Sequence, residues 1–293
     1  MRVFVTGGTG LIGAAVVAEL LGNGHTVLAL ARSDASAAAA EAAGAEPLPG
    51  ALADLDVLRT GAARADGVIH LAFGHDFSSR DAVAKSVAEE SAALAALGEE
   101  LVGSGRPFVT VAGTPLVPGR ASVETDPLLT DGPVGGRGLA VNAVLGLAPR
   151  GVRSTAVRLP RTVHNQGSGG FAGLLTDIAR RTGMSGYAGD GTQRWPAVHA
   201  LDAAVLIRLA LEQARAGTSW HAVADEGDEV RDIAAVIGRR LGLPVASVPA
   251  ETYGPLAQIF ANDQPASSAH TRQVLGWEPK HPGLLADLEN LRP

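Results

Sequence analysis

The sequence predicts an α/β fold built on a doubly wound parallel sheet, with a small α/β lobe in its C-terminal half. Short apolar runs of strand length alternate with segments of helical periodicity along most of the chain. A glycine-rich turn joins the first strand to the first helix. The chain has 293 residues, of which 46% are hydrophobic, so it can bury the core of such a domain.

The first strand, Val3 to Val5, enters a turn whose glycines are spaced in threes. At this spacing the first glycine permits the tight turn, the second lets backbone N–H groups approach a pyrophosphate, and the third lets the helix pack closely on the strand. Three glycines alone are weak evidence in a chain with 37 of them, and the alternative is a turn without a ligand. Their position between a strand and a helix favours dinucleotide binding. The residues expected at the cofactor are Gly7, Thr9, Gly10, Leu11, Ile12 and Gly13.

The second strand, Thr26 to Ala31, is followed by Arg32 and Ser33. An acidic residue at this point would bond the ribose 2′-hydroxyl of NAD, whereas a basic residue accommodates the extra phosphate of NADP. Asp34 comes two residues too late, and a guanidinium binds phosphate well. The alternative is a solvated loop arginine. We expect NADP(H) rather than NAD(H), with Arg32 and Ser33 at its phosphate.

Two later segments are also expected to contact the cofactor. Asp54 is placed to accept a hydrogen bond from the adenine amine while Leu55 packs on the base; equally, Asp54 could be the N-cap of the next helix. The fourth strand ends at the crevice where ligands bind in such sheets, and its small and apolar residues would let the middle of the cofactor lie against the backbone. Those residues are Leu71, Ala72 and Phe73. His70 is expected to be a packed strand residue.

Composition excludes several other functions. The net charge is −6 and no basic patch is present, which argues against nucleic acid. The absence of cysteine excludes disulfides, thiolate metal sites and a thiol nucleophile, and the eight histidines are dispersed, so no metal site is expected. No signal peptide or apolar span of about 20 residues is evident, which favours a cytoplasmic protein without a membrane partner. The helical stretch 79–103 is compatible with a monomer or a homodimer.

These features together resemble the extended short-chain dehydrogenase/reductase family, which includes sugar-nucleotide epimerases and 3β-hydroxysteroid dehydrogenases. The resemblance rests on the glycine turn, Arg32, Asp54-Leu55, the strand end at Ala72 and the later run Val198-His199-Ala-Leu-Asp202-Ala-Ala. It implies an NADP-binding Rossmann domain over residues 1–160 and a mainly substrate-binding lobe over 161–293, interleaved with the first. It also implies that Pro160, after the sixth strand, lies at the cofactor.

The catalytic residues depart from the family pattern. Most members use a Ser or Thr after the fifth strand and a Tyr-x-x-x-Lys pair on the next helix, in which the ammonium lowers the pKa of the phenol. Thr114 matches the hydroxyl position. The tyrosine is expected at Gly138 or Leu139, and Asn142 stands where the lysine should be. The chain therefore resembles an atypical branch, with Thr114 and Asn142 as its remaining candidate catalytic residues.

Other polar residues could complete the site. The resemblance places the loop after the sixth strand beside the nicotinamide, and it carries His164, a proton donor, substrate anchor or simple loop hydrogen-bonding residue. Arg194 suits an anionic or carbonyl-bearing ligand, and Trp195 could form a flat apolar wall. The expected substrate-binding residues are Phe73, Thr114, His164, Arg194 and Trp195.

The favoured function is an NADP-dependent oxidoreductase that acts on a small carbonyl or imine-type molecule. Two alternatives stay open. The missing tyrosine and lysine suit a non-catalytic NADP-binding sensor or regulatory protein, and the same fold supports an isomerase or lyase that uses the cofactor transiently.

Overall fold

A parallel sheet forms the centre of the computed structural model, which describes residues 1–74, 79–132 and 135–292. Seven strands are found in it within these ranges, and every neighbouring pair is parallel. In spatial order they are β10 (Thr218–His221), β6 (Arg153–Leu159), β5 (Pro107–Gly113), β4 (Gly67–His70), β1 (Arg2–Thr6), β2 (Thr26–Ala31) and β3 (Glu46–Pro49). The strand order reverses between β1 and β4, so the sheet is doubly wound and the predicted fold class is confirmed.

Helices cover both faces of this sheet, which explains why its inner strands are almost continuously apolar. On one face α1 packs against α7, and on the other α3, α4 and α5 pack together. The bounds are α1 (Leu11–Gly22), α2 (Asp34–Ala42), α3 (Leu55–Ala63), α4 (Arg80–Leu101), α5 (Gly135–Leu145) and α7 (Ala200–Gln213).

The C-terminal half builds two smaller sheets with a hydrophobic core of their own, centred on Trp195, Ile233 and Phe260. One sheet has the order β11-β9-β7, and the other pairs β12 with β8: β7 (Thr162–His164), β8 (Ser185–Ala188), β9 (Arg194–His199), β11 (Asp225–Glu229) and β12 (Val245–Val248). Their helices are α6 (Gly170–Thr182), α8 (Val230–Leu241), α9 (Ala257–Ala261), α10 (Ala269–Leu275) and α11 (Leu284–Leu288). Short 3₁₀ helices lie at Ala148–Arg150 and Ala250–Leu256. None of the helices in the described ranges combines the length and apolar character that a bilayer crossing requires.

A buried carboxylate joins the C-terminal segment to α7. Asp202 is 2% exposed and accepts hydrogen bonds from the backbone N–H groups of Lys280 (2.9 Å) and His281 (3.0 Å). The Nδ1 atom of His281 lies 2.8 Å from the same carboxylate, and Trp277 donates its indole N–H to the Asp202 carbonyl oxygen. Asp202 is therefore a structural residue that holds residues 277–281 on the end of α7.

The substitution Asp202→Ala should lower the free energy of unfolding by about 2–4 kcal/mol, because it removes the buried carboxylate that accepts hydrogen bonds from the N–H groups of Lys280 and His281. Urea denaturation measures this difference. Asp56→Ala is the matched control: its side chain is 98% exposed and it forms only a surface ion pair with Arg59. That control should change stability by less than about 0.5 kcal/mol. Equal effects of the two substitutions would contradict the assigned role of Asp202.

Candidate functional site

The glycine turn brings three backbone segments into direct contact. Gly7 has φ +73°, and a Cβ atom on it would lie 2.8 Å from the backbone nitrogen of Ala72. A Cβ atom on Gly13 would lie 2.0 Å from the Gly7 carbonyl oxygen. No side chain caps the start of α1 at Gly10, so its first-turn N–H groups are free of a side-chain acceptor. This cradle of glycine backbone and uncapped helix N-terminus fits a diphosphate.

The side chain of Thr6 organises the crevice between β1 and β4. Its hydroxyl oxygen lies 2.9 Å from Nδ1 of His70 and accepts long hydrogen bonds from the N–H groups of Leu71 (3.3 Å) and Ala72 (3.4 Å). His70 is fully buried. Burial, and then the positive charge of Arg137, lower the His70 pKa from 6.5 to about 3. The imidazole is therefore neutral near pH 7 and supports the strand end.

The residues expected to contact the adenosine end of the cofactor differ in whether their side chains already have a partner in the protein. Arg32 is exposed and makes no ion pair with another residue of the described chain. Ser33 is the N-cap of α2 and its hydroxyl accepts a hydrogen bond from Ser36 N–H, so that hydroxyl is already engaged. Asp54 precedes α3 but bonds the N–H of Ala51 (2.7 Å) rather than the helix, while Leu55 begins α3. Arg32 is thus the side chain best placed to bind a phosphate.

The helix expected to carry the tyrosine and lysine has no room for a tyrosine at Gly138, one of the two expected positions. A Cβ atom on Gly138 would lie 2.1 Å from the Leu129 carbonyl oxygen. Leu139 is 58% exposed, and Asn142 is also exposed. Asn142 makes no side-chain hydrogen bond to any residue of the described ranges. Close packing of α5 on residues 128–130 therefore excludes a side chain at position 138.

A buried ion pair that the sequence analysis missed lies beside the cofactor strand. Arg137 binds Glu90 through two hydrogen bonds of 2.7 and 2.8 Å, and Glu90 is 1% exposed. The Arg137 guanidinium also lies 3.9 Å from the centre of the Phe73 ring. A lone glutamate on the buried face of α4 and a lone arginine among the glycines of α5 were the available signals. The pair fixes Phe73 at the end of β4.

Thr114 follows β5 and is almost completely buried. Its N–H donates to the Leu159 carbonyl oxygen (2.9 Å), and its own carbonyl oxygen accepts a hydrogen bond from the side-chain amide of Gln264 (2.6 Å). The hydroxyl has no partner among the described residues. Pro160 is buried just after β6. Thr114 therefore has a buried hydroxyl without a partner in the described ranges, at the carboxyl edge of the sheet.

His164 lies in strand β7, not in the predicted loop, and is 1% exposed. Its Nδ1 is 2.9 Å from Asp287, and its Nε2 has no partner among the described residues. Burial disfavours ionisation of Asp287, but hydrogen bonds from His164 and Gly167 outweigh burial and hold the Asp287 pKa below its usual range. The ring also meets His199 edge-on at 5.4 Å. Asp287 thus orients a buried imidazole.

The two candidate substrate residues of β9 have different surroundings. Arg194 is paired with Asp263 through two side-chain hydrogen bonds of 3.1 and 2.8 Å. Trp195 is fully buried between Phe171 and Phe260, so it presents no wall to a ligand in this conformation. This corrects the expectation for Trp195, because alternation along β9 turns its indole into the lobe core. No cluster of His, Asp or Glu in the described part of the chain could hold a metal ion.

The sheet order and the switch-point crevice define a Rossmann-type protein of the epimerase/dehydratase fold. A model of the NAD dependent epimerase/dehydratase family matches residues 3–129, and the chain belongs to this family. It is 43% identical over 292 residues to the uncharacterized protein C2A9.02 of Schizosaccharomyces pombe. It is 41% identical over 295 residues to the uncharacterized protein YLL056C of Saccharomyces cerevisiae. Each match covers 98% of both chains.

Solved structures share the fold at lower identity. The UDP-glucose 4-epimerase of Thermotoga maritima with UDP-glucose has a TM-score of 0.77 and 20% identity, and the match covers 99% of this chain and 97% of that one. DesIV of Streptomyces venezuelae, a dTDP-glucose 4,6-dehydratase with NAD and TYD bound, has a TM-score of 0.78 and 20% identity, with coverage of 99% and 96%. The similarity extends over both halves of the chain.

The substitution Gly13→Ala should abolish or strongly weaken binding of a nicotinamide dinucleotide, because its methyl group would displace the Gly7 carbonyl from the turn. Gly22→Ala is the matched control in the same helix: nothing lies within 4 Å of a Cβ atom there. The control should bind cofactor normally and gain up to about 1 kcal/mol of stability. Isothermal titration calorimetry with NADP⁺ measures binding, and unchanged affinity in the Gly13 variant would refute the cradle.

Burial of His70 also predicts a pH dependence of stability. Since its pKa is lowered from 6.5 to about 3, the unfolded chain binds a proton between these values and the folded protein does not. Stability is therefore full above pH 6.5 and falls as the pH decreases toward 3. His70→Asn should flatten this decline by about 1.4 kcal/mol per pH unit in urea denaturation. The exposed His270→Asn is the control, and identical slopes in both variants would disprove the assignment.

Proposed function

We propose that the protein is an NADP-dependent oxidoreductase that reduces a carbonyl or imine-type substrate. The observation that carries the proposal is the combination of the glycine cradle with an exposed, unpaired Arg32 at the end of β2. The family assignment supports nucleotide-dependent chemistry on this fold. A ketoreductase of Stigmatella aurantiaca, whose full name is 4-hydroxy-2-methyl-3-oxo-4-farnesyl-3,4-dihydroquinoline-1-oxide ketoreductase, is 40% identical over 72 residues, 25% of this chain. That similarity supports reduction over the alternatives.

The chemistry divides between the cofactor and two polar side chains. When bound, the reduced nicotinamide supplies a hydride to the carbonyl carbon. The Thr114 hydroxyl, which has no partner among the described residues, donates a hydrogen bond to the carbonyl oxygen and stabilises the charge that develops there. The proton comes from His164, or from an ordered water that His164 orients. Asp287 holds the imidazole through Nδ1, which leaves Nε2 free for this role.

Two rival functions are each motivated by a specific observation. The absence of room for a tyrosine at Gly138 suits an NADP-binding sensor, which would bind cofactor without transferring hydride. The solved neighbours include an epimerase and a dehydratase, which suits an isomerase or lyase. NADPH absorbance with a panel of carbonyl compounds, followed by product analysis, separates these functions. A reductase consumes NADPH as it converts the substrate. An isomerase or lyase converts the substrate without net loss of NADPH. A sensor neither consumes NADPH nor converts any of the compounds.

The substitution Arg32→Ser should weaken NADPH binding about ten- to a hundredfold while leaving NADH binding unchanged, because it removes a charge-assisted contact to the extra phosphate. Arg59→Ser is the control, since it removes the same charge from the exposed face of α3. Fluorescence titration with both cofactors measures the ratio. Equal affinity of the unaltered protein for NADPH and NADH would show that Arg32 is only a solvated loop residue.

A further inference from the structure

Arg161, just after β6, carries a charge that no acidic side chain of the described ranges neutralises. Its guanidinium donates to the Ile259 carbonyl oxygen (2.9 Å) and to the side-chain oxygen of Gln264. No ion pair within the described ranges involves it, whereas nearby Arg194 is paired with Asp263. Its Nε–H is buried and has no acceptor. Burial alone lowers the Arg161 pKa, to about 10, so the group stays charged at neutral pH.

A partly buried arginine without a carboxylate partner can be purely structural, and Arg153 provides that comparison. Arg153 begins the same strand and donates to the carbonyl oxygens of Leu211 and Ala214, at the C-terminus of α7. The helix end offsets its charge there. Arg161 has only one carbonyl of the five-residue helix α9 and a movable side-chain amide. It also lies at the carboxyl edge of the sheet, where ligands of such folds bind.

Gln264 connects this charge to the proposed reaction site. The side-chain oxygen of Gln264 accepts a hydrogen bond from Arg161, and its side-chain nitrogen donates one to the Thr114 carbonyl oxygen (2.6 Å). On either side of this amide is a buried donor without an acceptor: the Nε–H of Arg161 and the hydroxyl of Thr114. A buried unsatisfied donor costs about 1–3 kcal/mol, so a ligand that satisfies both would bind favourably.

The rings beneath the guanidinium set its orientation. Arg161 lies 5.1 Å from the centre of the Phe171 ring and 5.5 Å from that of Trp195. Both rings belong to the core of the lobe, so the guanidinium is held in place before any ligand arrives. A planar, pre-oriented guanidinium favours planar acceptors such as a carboxylate over a spherical or neutral group.

We infer that Arg161 binds a carboxylate of the substrate, and that the substrate class is therefore an oxo acid, whose carbonyl group meets Thr114. The Gln264 side-chain oxygen occupies the place of one carboxylate oxygen and rotates away when the acid binds. The inference rests on the proposed function of this site and further specifies that the substrate carries a negative charge. A neutral aldehyde or ketone would leave the buried charge of Arg161 unmatched.

The test compares α-keto and γ-keto acids with their methyl esters, using calorimetric titration of the protein with and without NADP⁺. At least one acid should bind the unaltered protein about tenfold or more tightly than its ester. Arg161→Gln should remove this preference, with the affinity for the ester nearly unchanged. Arg161→Lys keeps the positive charge but loses the planar guanidinium that can form two parallel hydrogen bonds, so it should retain part of the preference for the acid. Arg153→Gln is the matched control, since it removes a partly buried arginine from the other end of β6 and should keep the full preference.

Two outcomes would overturn the inference: no acid preferred over its ester by the unaltered protein, or the same preference in the folded Arg161 variants. Thermal unfolding shows whether Arg161→Gln is folded. If it is not, the acid-over-ester preference of Arg161→Lys, compared with that of the unaltered protein, tests the inference. The proposed function fails separately. An Arg161-dependent preference for acids without NADPH oxidation would retain the binding site and reject the reductase, whereas oxidation of NADPH with neutral carbonyls alone would retain the reductase and reject the acid site.

Discussion

The backbone of Gly13 in α1 rests against the carbonyl group of Gly7, and Gly7 rests against the backbone of Ala72 after β4. No side chain fits between these segments, so the contact fixes how closely α1, β1 and β4 approach one another. The Thr6 hydroxyl adds hydrogen bonds to the residues that follow β4. The width of the switch-point crevice, and the direction of the α1 N-terminus toward it, both depend on this contact.

The same close backbone packing occurs on α5, whose sequence departs from the family's Tyr-x-x-x-Lys pattern. Gly135 and Gly138 bring the helix onto the carbonyl groups of Thr130 and Leu129, which leaves no space for a side chain at position 138. Charged groups lie at other positions: the Glu90–Arg137 ion pair and Arg161 are largely removed from solvent. Within the described ranges, the buried polar atoms without a hydrogen-bond partner include the Thr114 hydroxyl, the Nε2 atom of His164 and the Nε atom of Arg161 itself. A site that retains unsatisfied buried donors is organised for a ligand rather than for stability alone.

Much of the nucleotide-binding half could be predicted because its signals are local. The central strands and the glycine turn follow from short apolar runs and from turn chemistry that neighbouring residues define. Helix α6 was not predicted, since it begins at Gly169 and Gly170, both with positive φ and without a capping side chain, so its start is typical of a loop. The hydrogen-bond partners of the site residues could not be predicted from the sequence either. Asp287 reaches His164, and Gln264 reaches Thr114, across more than a hundred residues that no periodic pattern connects.

The central claim is that the glycine cradle, Arg32 and Thr114 belong to one cofactor and substrate site. A crystal structure of the protein with NADP⁺ tests it most directly. The account predicts the diphosphate at the start of α1, the extra phosphate beside Arg32, and the reactive face of the nicotinamide directed toward the Thr114 hydroxyl. A cofactor bound outside the β1–β4 crevice, or a nicotinamide turned away from Thr114, would contradict it.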